Sequence, residues 1–165
     1  SLPAATVTRM EELGNLLQTR LGTDLALTAQ VTATETRTAG QTVTYEAANL
    51  TDNDKNTCWA TNDGTVQATL TFSWDSPQTL RYVSLMEYIR LGQRVKGFTV
   101  ETSEDGVNFT RRASNIATTT IGYKRIIPLN GNTSDSYGSG FQAKALRITI
   151  NASKACPVLH TVSVY

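Results

Sequence analysis

From Leu25 to the end of the chain, apolar and polar residues alternate in short runs separated by turn clusters, and this period of two constrains the fold more than any other property of the sequence. The runs at 25–34, 67–74, 79–88, 97–102, 121–129, 145–151 and 158–165 are predicted strands. Asn62-Asp63-Gly64, Asp75-Ser76-Pro77 and Glu104-Asp105-Gly106 are predicted turns between them, because Asp and Asn bond their own backbone and Gly accepts positive φ. Helical periodicity does not return after residue 25. Strands spaced this way predict an all-β domain over 25–165, an antiparallel β-sandwich of the jelly-roll kind. A chain of 165 residues can bury roughly 70% of its unfolded surface, enough for one core. The stretch 130–140, NGNTSDSYGSG, reads as a long mobile loop.

Residues 1–24 have a different period. Val7, Met10, Leu13, Leu17 and Leu21 recur at three- and four-residue steps, Thr8 and Glu11 can form a capping box, and Gly22 suits a helix end. One N-terminal α-helix is predicted, with an apolar stripe that needs a partner surface. Ser1 is not a natural initiator, so the chain reads as a mature product or an excised piece.

Fifteen basic residues against fourteen acidic ones leave no field that would attract nucleic acid or anionic lipid. No apolar run is long enough to span a bilayer. Catalytic groups are sparse. The single histidine, His160, sits in a β pattern, which leaves little from which to build a zinc site or a Ser-His-Asp triad. Glycoside hydrolysis needs two carboxylates about 5–9 Å apart across a bond, and the acidic residues fall mostly in turns. Trp59 and Trp74 lie within β patterns and read as core. Cys58 and Cys156 read as buried thiols, with a disulfide the alternative in an oxidising compartment. Asn49, Asn108, Asn132 and Asn151 meet the glycosylation rule.

The stretch 47–61, AANLTDNDKNTCWAT, gathers Asp52, Asp54 and the Thr57 hydroxyl in one short loop before Trp59. Two readings stand: Asx-turns closing on their own backbone, or hard oxygen ligands for calcium. Downstream, RVKGFTVETSEDGVNF (94–109) is a strand running into a hairpin turn. An acidic loop ending in Thr-x-Trp followed by Ser-x-Asp-Gly-x-x-aromatic resembles the discoidin-like, or factor V/VIII type C, domains and the family 32 carbohydrate-binding modules, which are galactose-binding-like β-sandwiches. EYIRLGQRVKGFTVE (87–101), TIGYKRI (120–126) and the ending LRITINASKACPVLHTVSVY (146–165) resemble, more narrowly, the C-terminal domain of family 29 α-L-fucosidases.

That resemblance implies a non-catalytic accessory domain, periplasmic or secreted, with the N-terminal helix as connector to an upstream catalytic barrel. It implies structural Ca2+ held by Asp52, Asp54 and Thr57, with carbonyl help from Asn49 or Leu50. His160-Thr161 stands where many relatives carry a ligating glutamate. For contact with fucosylated or galactosylated glycans, or with the barrel, it singles out Tyr88, Arg90, Gln93, Arg94 and Tyr123, with Tyr137 and Phe141 as further aromatic candidates. A free-standing lectin-like module or a discoidin-type adhesion domain is the alternative.

Overall fold

The computed structural model describes residues 22–38, 42–116, 124–129 and 140–165. The predicted N-terminal helix, Tyr123, Tyr137, the Asn132 sequon and most of the predicted 130–140 loop lie outside these residues. The described chain forms two packed antiparallel sheets, as the alternation predicts. Strands β1 (Gln30–Ala33), β3 (Ala68–Leu80), β5 (Val95–Ser103), β6 (Thr110–Ile116) and β8 (Phe141–Ser153) form one sheet in the order β1-β3-β8-β5-β6; β2 (Trp59–Ala60), β4 (Tyr82–Glu87), β7 (Arg125–Pro128) and β9 (Val158–Val164) form the other in the order β2-β9-β4-β7.

The period of two becomes a two-faced sheet. Along β3, Ala68, Leu70, Phe72 and Trp74 are buried while the residues between them are not. Register places Leu70 opposite Ile148 and Phe72 opposite Leu146, so inward residues meet inward residues. Against them the second sheet sets Trp59, Val83, Leu85, Leu159, Val162 and Val164 in one continuous core. Each fully buried Leu, Ile or Phe contributes about 1.5–3 kcal/mol. Both indoles bury their rings and still bond their N–H groups, Trp59 Nε1 to the Glu35 carbonyl at 3.0 Å and Trp74 Nε1 to the Leu25 carbonyl at 2.9 Å.

Local chemistry moves several predicted boundaries. The segment Leu25–Thr28 is a 3-10 turn and not the start of a strand, because Asp24 Oδ1 accepts from Ala26 N and, across the fold, from Val164 N. Asp75-Ser76-Pro77 does not end a strand. It rides within β3 as an irregularity, the pairing with β8 lapsing between Ser73 and Gln78, where proline is tolerated. The predicted strand 79–88 divides at Arg81, where the Arg81 and Tyr82 amides both reach the Tyr165 carbonyl. Strand β6 has no counterpart in the sequence reading: TRRASNI lacks alternation because, among the described residues, it is an edge strand paired with β5 alone.

The predicted turn at Glu104-Asp105-Gly106 is present. The Asp105 carboxylate accepts from Val107 N, Asn108 N, Asn108 Nδ2 and Ser103 Oγ, and these bonds hold its pKa far below the carboxylate range. Gly106 supplies the positive φ of 80° at the tip.

Candidate functional site

At one end of the sandwich, three chain segments meet over the start of β9. Arg37 forms an isolated bridge with Tyr45; the Arg37 amide donates to the Ala60 carbonyl, and Ala60 N donates to the Tyr45 carbonyl. The loop after β1 is thereby tied along β2. The turn Asn62–Thr65 follows β2 and carries Asp63. From the other side, the 3-10 turn Ile89–Leu91 and Gly92, with φ 86°, lead the chain into Arg94 at the head of β5. Between them lies a cavity of about 270 Å³ lined by Arg37, Tyr45, Asp63, Leu91, Arg94 and Cys156.

Arg94 is anchored at both ends of its side chain. Its amide and that of Val95 donate to Glu87 Oε1, each at 2.8 Å, and Glu87 is 1% exposed. Its guanidinium donates to two neutral backbone acceptors, Nε to the Leu91 carbonyl at 3.3 Å and Nη1 to the Cys156 carbonyl at 3.0 Å. Nη1 also sits 3.1 Å from Cys156 Sγ. Arg37 Nη1 pairs with Asp63 Oδ1 at 2.7 Å, reaches the Thr61 carbonyl at 3.3 Å, and lies 4.0 Å from the same sulfur. The Arg37 hydrogen bond, and then its charge, hold the Asp63 carboxyl below its usual range, and the hydrogen bond to Asp63 raises the Arg37 pKa.

Of the glycan- or barrel-contact candidates among the described residues, Arg94 lines this cavity and Tyr88, Arg90, Gln93 and Phe141 do not. Tyr88 and Arg90 form a neighbouring group: the Tyr88 ring stacks on His160, with centroids 6.1 Å apart and planes 7° apart, and Arg90 reaches Tyr88 Oη and Asn56 Oδ1, each at 3.4 Å. Burial lowers the His160 pKa. Gln93 is exposed beside Arg94. Phe141 is half-buried under the Arg112 guanidinium, 3.7 Å from the ring centre, so it belongs to the packing. Arg37, Tyr45 and Asp63 were missed. In sequence they are an isolated loop arginine, a lone tyrosine and part of a turn cluster, with no spacing that links them.

The acidic loop closes on itself. Asp52 Oδ1 accepts from Asp54 N, Asp54 Oδ1 from Asn56 N, and Asp52 Oδ2 from the Thr57 hydroxyl at 2.6 Å. Asn53 sits at φ 57°, which asparagine tolerates. Asn49 Nδ2 pins the loop base to the Thr44 and Cys58 carbonyls. These are the bonds of the Asx-turn reading. The same bonds draw the Asp52 carboxylate, the Thr57 hydroxyl and the Asp54 carbonyl together, a set compatible with a hard cation when water or further oxygens complete it. Among the described residues, no three His, Cys, Asp or Glu side chains gather at one point.

Both cysteines are free and buried, packed in one small cluster with Ala60 and Val158. Burial pushes the Cys58 thiol up to about 11. The Asn49 sequon is 8% exposed and closed to modification in the folded chain.

Comparison with known proteins places this geometry. The F5/8 type C domain profile matches residues 30–160. Among solved structures, one described as an alpha-L-fucosidase of Bacteroides thetaiotaomicron is 33% identical with a TM-score of 0.72, over 87% of this chain and 28% of that one. A Ruminococcus gnavus GH29 fucosidase in complex with fucose is 26% identical with a TM-score of 0.74, over 100% of this chain and 31% of that one. The chain thus spans about three tenths of the length of these fucosidases. A family 32 module of Clostridium perfringens, in complex with GalNAc-beta-1,3-galactose, is 14% identical with a TM-score of 0.69 over 87% of this chain and 99% of the module, and shares the fold. No curated protein matches the chain.

Proposed function

Because the chain belongs to the F5/8 type C domain family, we propose that it is a non-catalytic, carbohydrate-binding accessory domain of an α-L-fucosidase, acting outside the cytoplasm as a periplasmic or secreted protein. The observation that carries this reading is the cavity over β9. It offers forked donors from Arg37 and Arg94, an acceptor in Asp63, and the side chains of Tyr45 and Leu91 against which the apolar face of a pyranose can lie. Its volume of about 270 Å³ falls just below the usual range for small-molecule sites, roughly 300–1,000 Å³, and suits one sugar residue. Leu91 is 49% exposed at the rim. Among the described residues, no helix is long and apolar enough to cross a membrane.

The likeness to parts of larger fucosidases supports a partner in an upstream catalytic barrel, with Arg90, Leu91 and Gln93 exposed beside the pocket as the surface that would face it. Titration of the chain with fucosylated and galactosylated oligosaccharides tests the reading. Saturable binding at millimolar or lower concentration is expected, weakened about tenfold or more by Arg94→Ala, a loss of about 1.4 kcal/mol or greater. No release of nitrophenol from a nitrophenyl fucoside is expected. Absence of binding to every glycan, or turnover by the isolated chain, would refute it.

Structural calcium at the acidic loop is part of the same proposal, with Asp52, Asp54, the Thr57 hydroxyl and carbonyls of the Asn49–Leu50 turn as its holders. The ion would pin the loop electrostatically against the end of β9. Added Ca2+ at about a hundredfold excess over its Kd is expected to stabilise the fold by about 2.7 kcal/mol, seen as a rise in Tm that chelator reverses and Asp52→Ala removes. Identical melting with calcium and with chelator would count against it.

A further inference from the structure

We infer that the cavity over β9 is built for a sugar acid, a pyranose bearing a carboxylate, in preference to a neutral sugar. The inference deepens the carbohydrate-binding reading above and rests on it.

The argument begins with the charges on the wall. Two guanidinium groups, Arg37 and Arg94, face the cavity with one carboxylate, Asp63. That carboxylate is engaged first by Arg37 at 2.7 Å, with Arg94 acting on it only as the smallest of its charge interactions. The other wall residues, Tyr45, Ala60, Leu91, Cys156 and Val158, carry no carboxylate. Among the described residues, ion pairs join Arg37 to Asp63 and Arg147 to Glu101, and Arg94 takes part in neither. The Arg94 head group is fixed instead by the neutral carbonyls of Leu91 and Cys156, which orient it without cancelling its charge. The buried Glu87 carboxylate stands behind Arg94, off the cavity wall, where Oε1 receives the Arg94 and Val95 amides.

Such an arrangement is pre-organised for an anion. A guanidinium held by backbone carbonyls has little rotamer freedom left to lose when it forks onto a carboxylate. Both guanidiniums reach one atom, Cys156 Sγ, at 3.1 Å and 4.0 Å, so a single carboxylate can accept from both. A neutral hydroxyl offers each a weaker acceptor and leaves the local positive charge in place. Tyr45, Leu91 and the limited volume add the requirement for a ring, which separates a sugar acid from a bare anion.

Calorimetric titration with digalacturonate, the matching neutral galactobiose, and acetate tests this. The expected order is digalacturonate about tenfold or more tighter than galactobiose, with acetate weaker than both. The uronate advantage should shrink as salt rises from about 0.02 to 0.5 M, through screening. Arg94→Ala should remove that advantage while leaving residual neutral-sugar binding, Arg94→Lys should keep part of it, and Arg37→Gln provides a second variant if the first melts early. Equal affinity for the two disaccharides would overturn the sugar-acid inference and leave carbohydrate binding intact. Acetate binding as tightly as digalacturonate would overturn it as a general anion site. Failure of every ligand would overturn both readings together.

Discussion

Replacing Trp59 by alanine is expected to destabilise the domain by about 3–5 kcal/mol, the range for removing a buried Trp or Phe from a core. Trp59 is wholly buried and lies in β2, a strand of only two residues. So short a strand contributes little pairing of its own, being bonded to β9 through Trp59↔Leu159 and Ala60↔Val158. The indole also donates to the Glu35 carbonyl at 3.0 Å, which ties the loop after β1 to the core. Truncation therefore opens a cavity and releases a loop that carries Arg37. Against a typical total stability of about 5–15 kcal/mol, the loss is large. Urea unfolding of the two proteins at equal m-value measures it. Trp59→Phe, which keeps most of the volume and loses only the N–H bond, should cost much less than alanine. A loss below about 1 kcal/mol for alanine would show that the indole does not hold these layers together.

The second large effect is expected at Glu87, where stability and binding are coupled. One oxygen of this carboxylate receives the amides of Arg94 and Val95, at 2.8 Å each, in a region closed to water. Glu87→Ala leaves those donors without their acceptor, at about 1–3 kcal/mol apiece, so a total on the order of 3–5 kcal/mol is expected. The same substitution frees the backbone from which Arg94 enters the cavity. Glycan affinity should therefore fall even at temperatures where the variant remains folded. Glu87→Gln retains an acceptor oxygen of the same shape and should recover most of both properties. Denaturant titration together with calorimetry of the folded variant separates the two effects; full affinity in a folded Glu87→Ala protein would show that Arg94 is positioned by its carbonyl contacts alone.

The relation between sequence and structure differs from one element to the next. Strand β3 was readable because Ala68, Leu70, Phe72 and Trp74 repeat at the pleat period, and burial of one sheet face enforces that repeat. The Glu104-Asp105-Gly106 turn was readable because its bonds are local, all within a few residues of Asp105. Strand β6 was not, since an edge strand bonded on one side carries no strict alternation. The 3-10 turn at Leu25–Thr28 was missed for a different reason: part of what holds Asp24 in place is the Val164 amide, 140 residues away in sequence.

The functional end of the molecule follows the same division. Arg94 stood out because the string around it resembles a known family, and the Asp52–Thr57 loop because its donors and acceptors are neighbours in sequence. Tyr88 and Arg90 belong to the same string, yet the turn at Ile89–Leu91 leaves Tyr88 stacked on His160 and Arg90 bonded to Asn56 while Arg94 enters the cavity. Sequence alone thus determined the layered all-β architecture, the indole core and the Glu104-Asp105-Gly106 turn, because each is written in short-range periodicity or short-range hydrogen bonding. Only the tertiary structure decided that Arg37, Tyr45 and Asp63 face Arg94 across one cavity, because long-range strand pairing is what brings residues from separate loops to the same end of a sandwich.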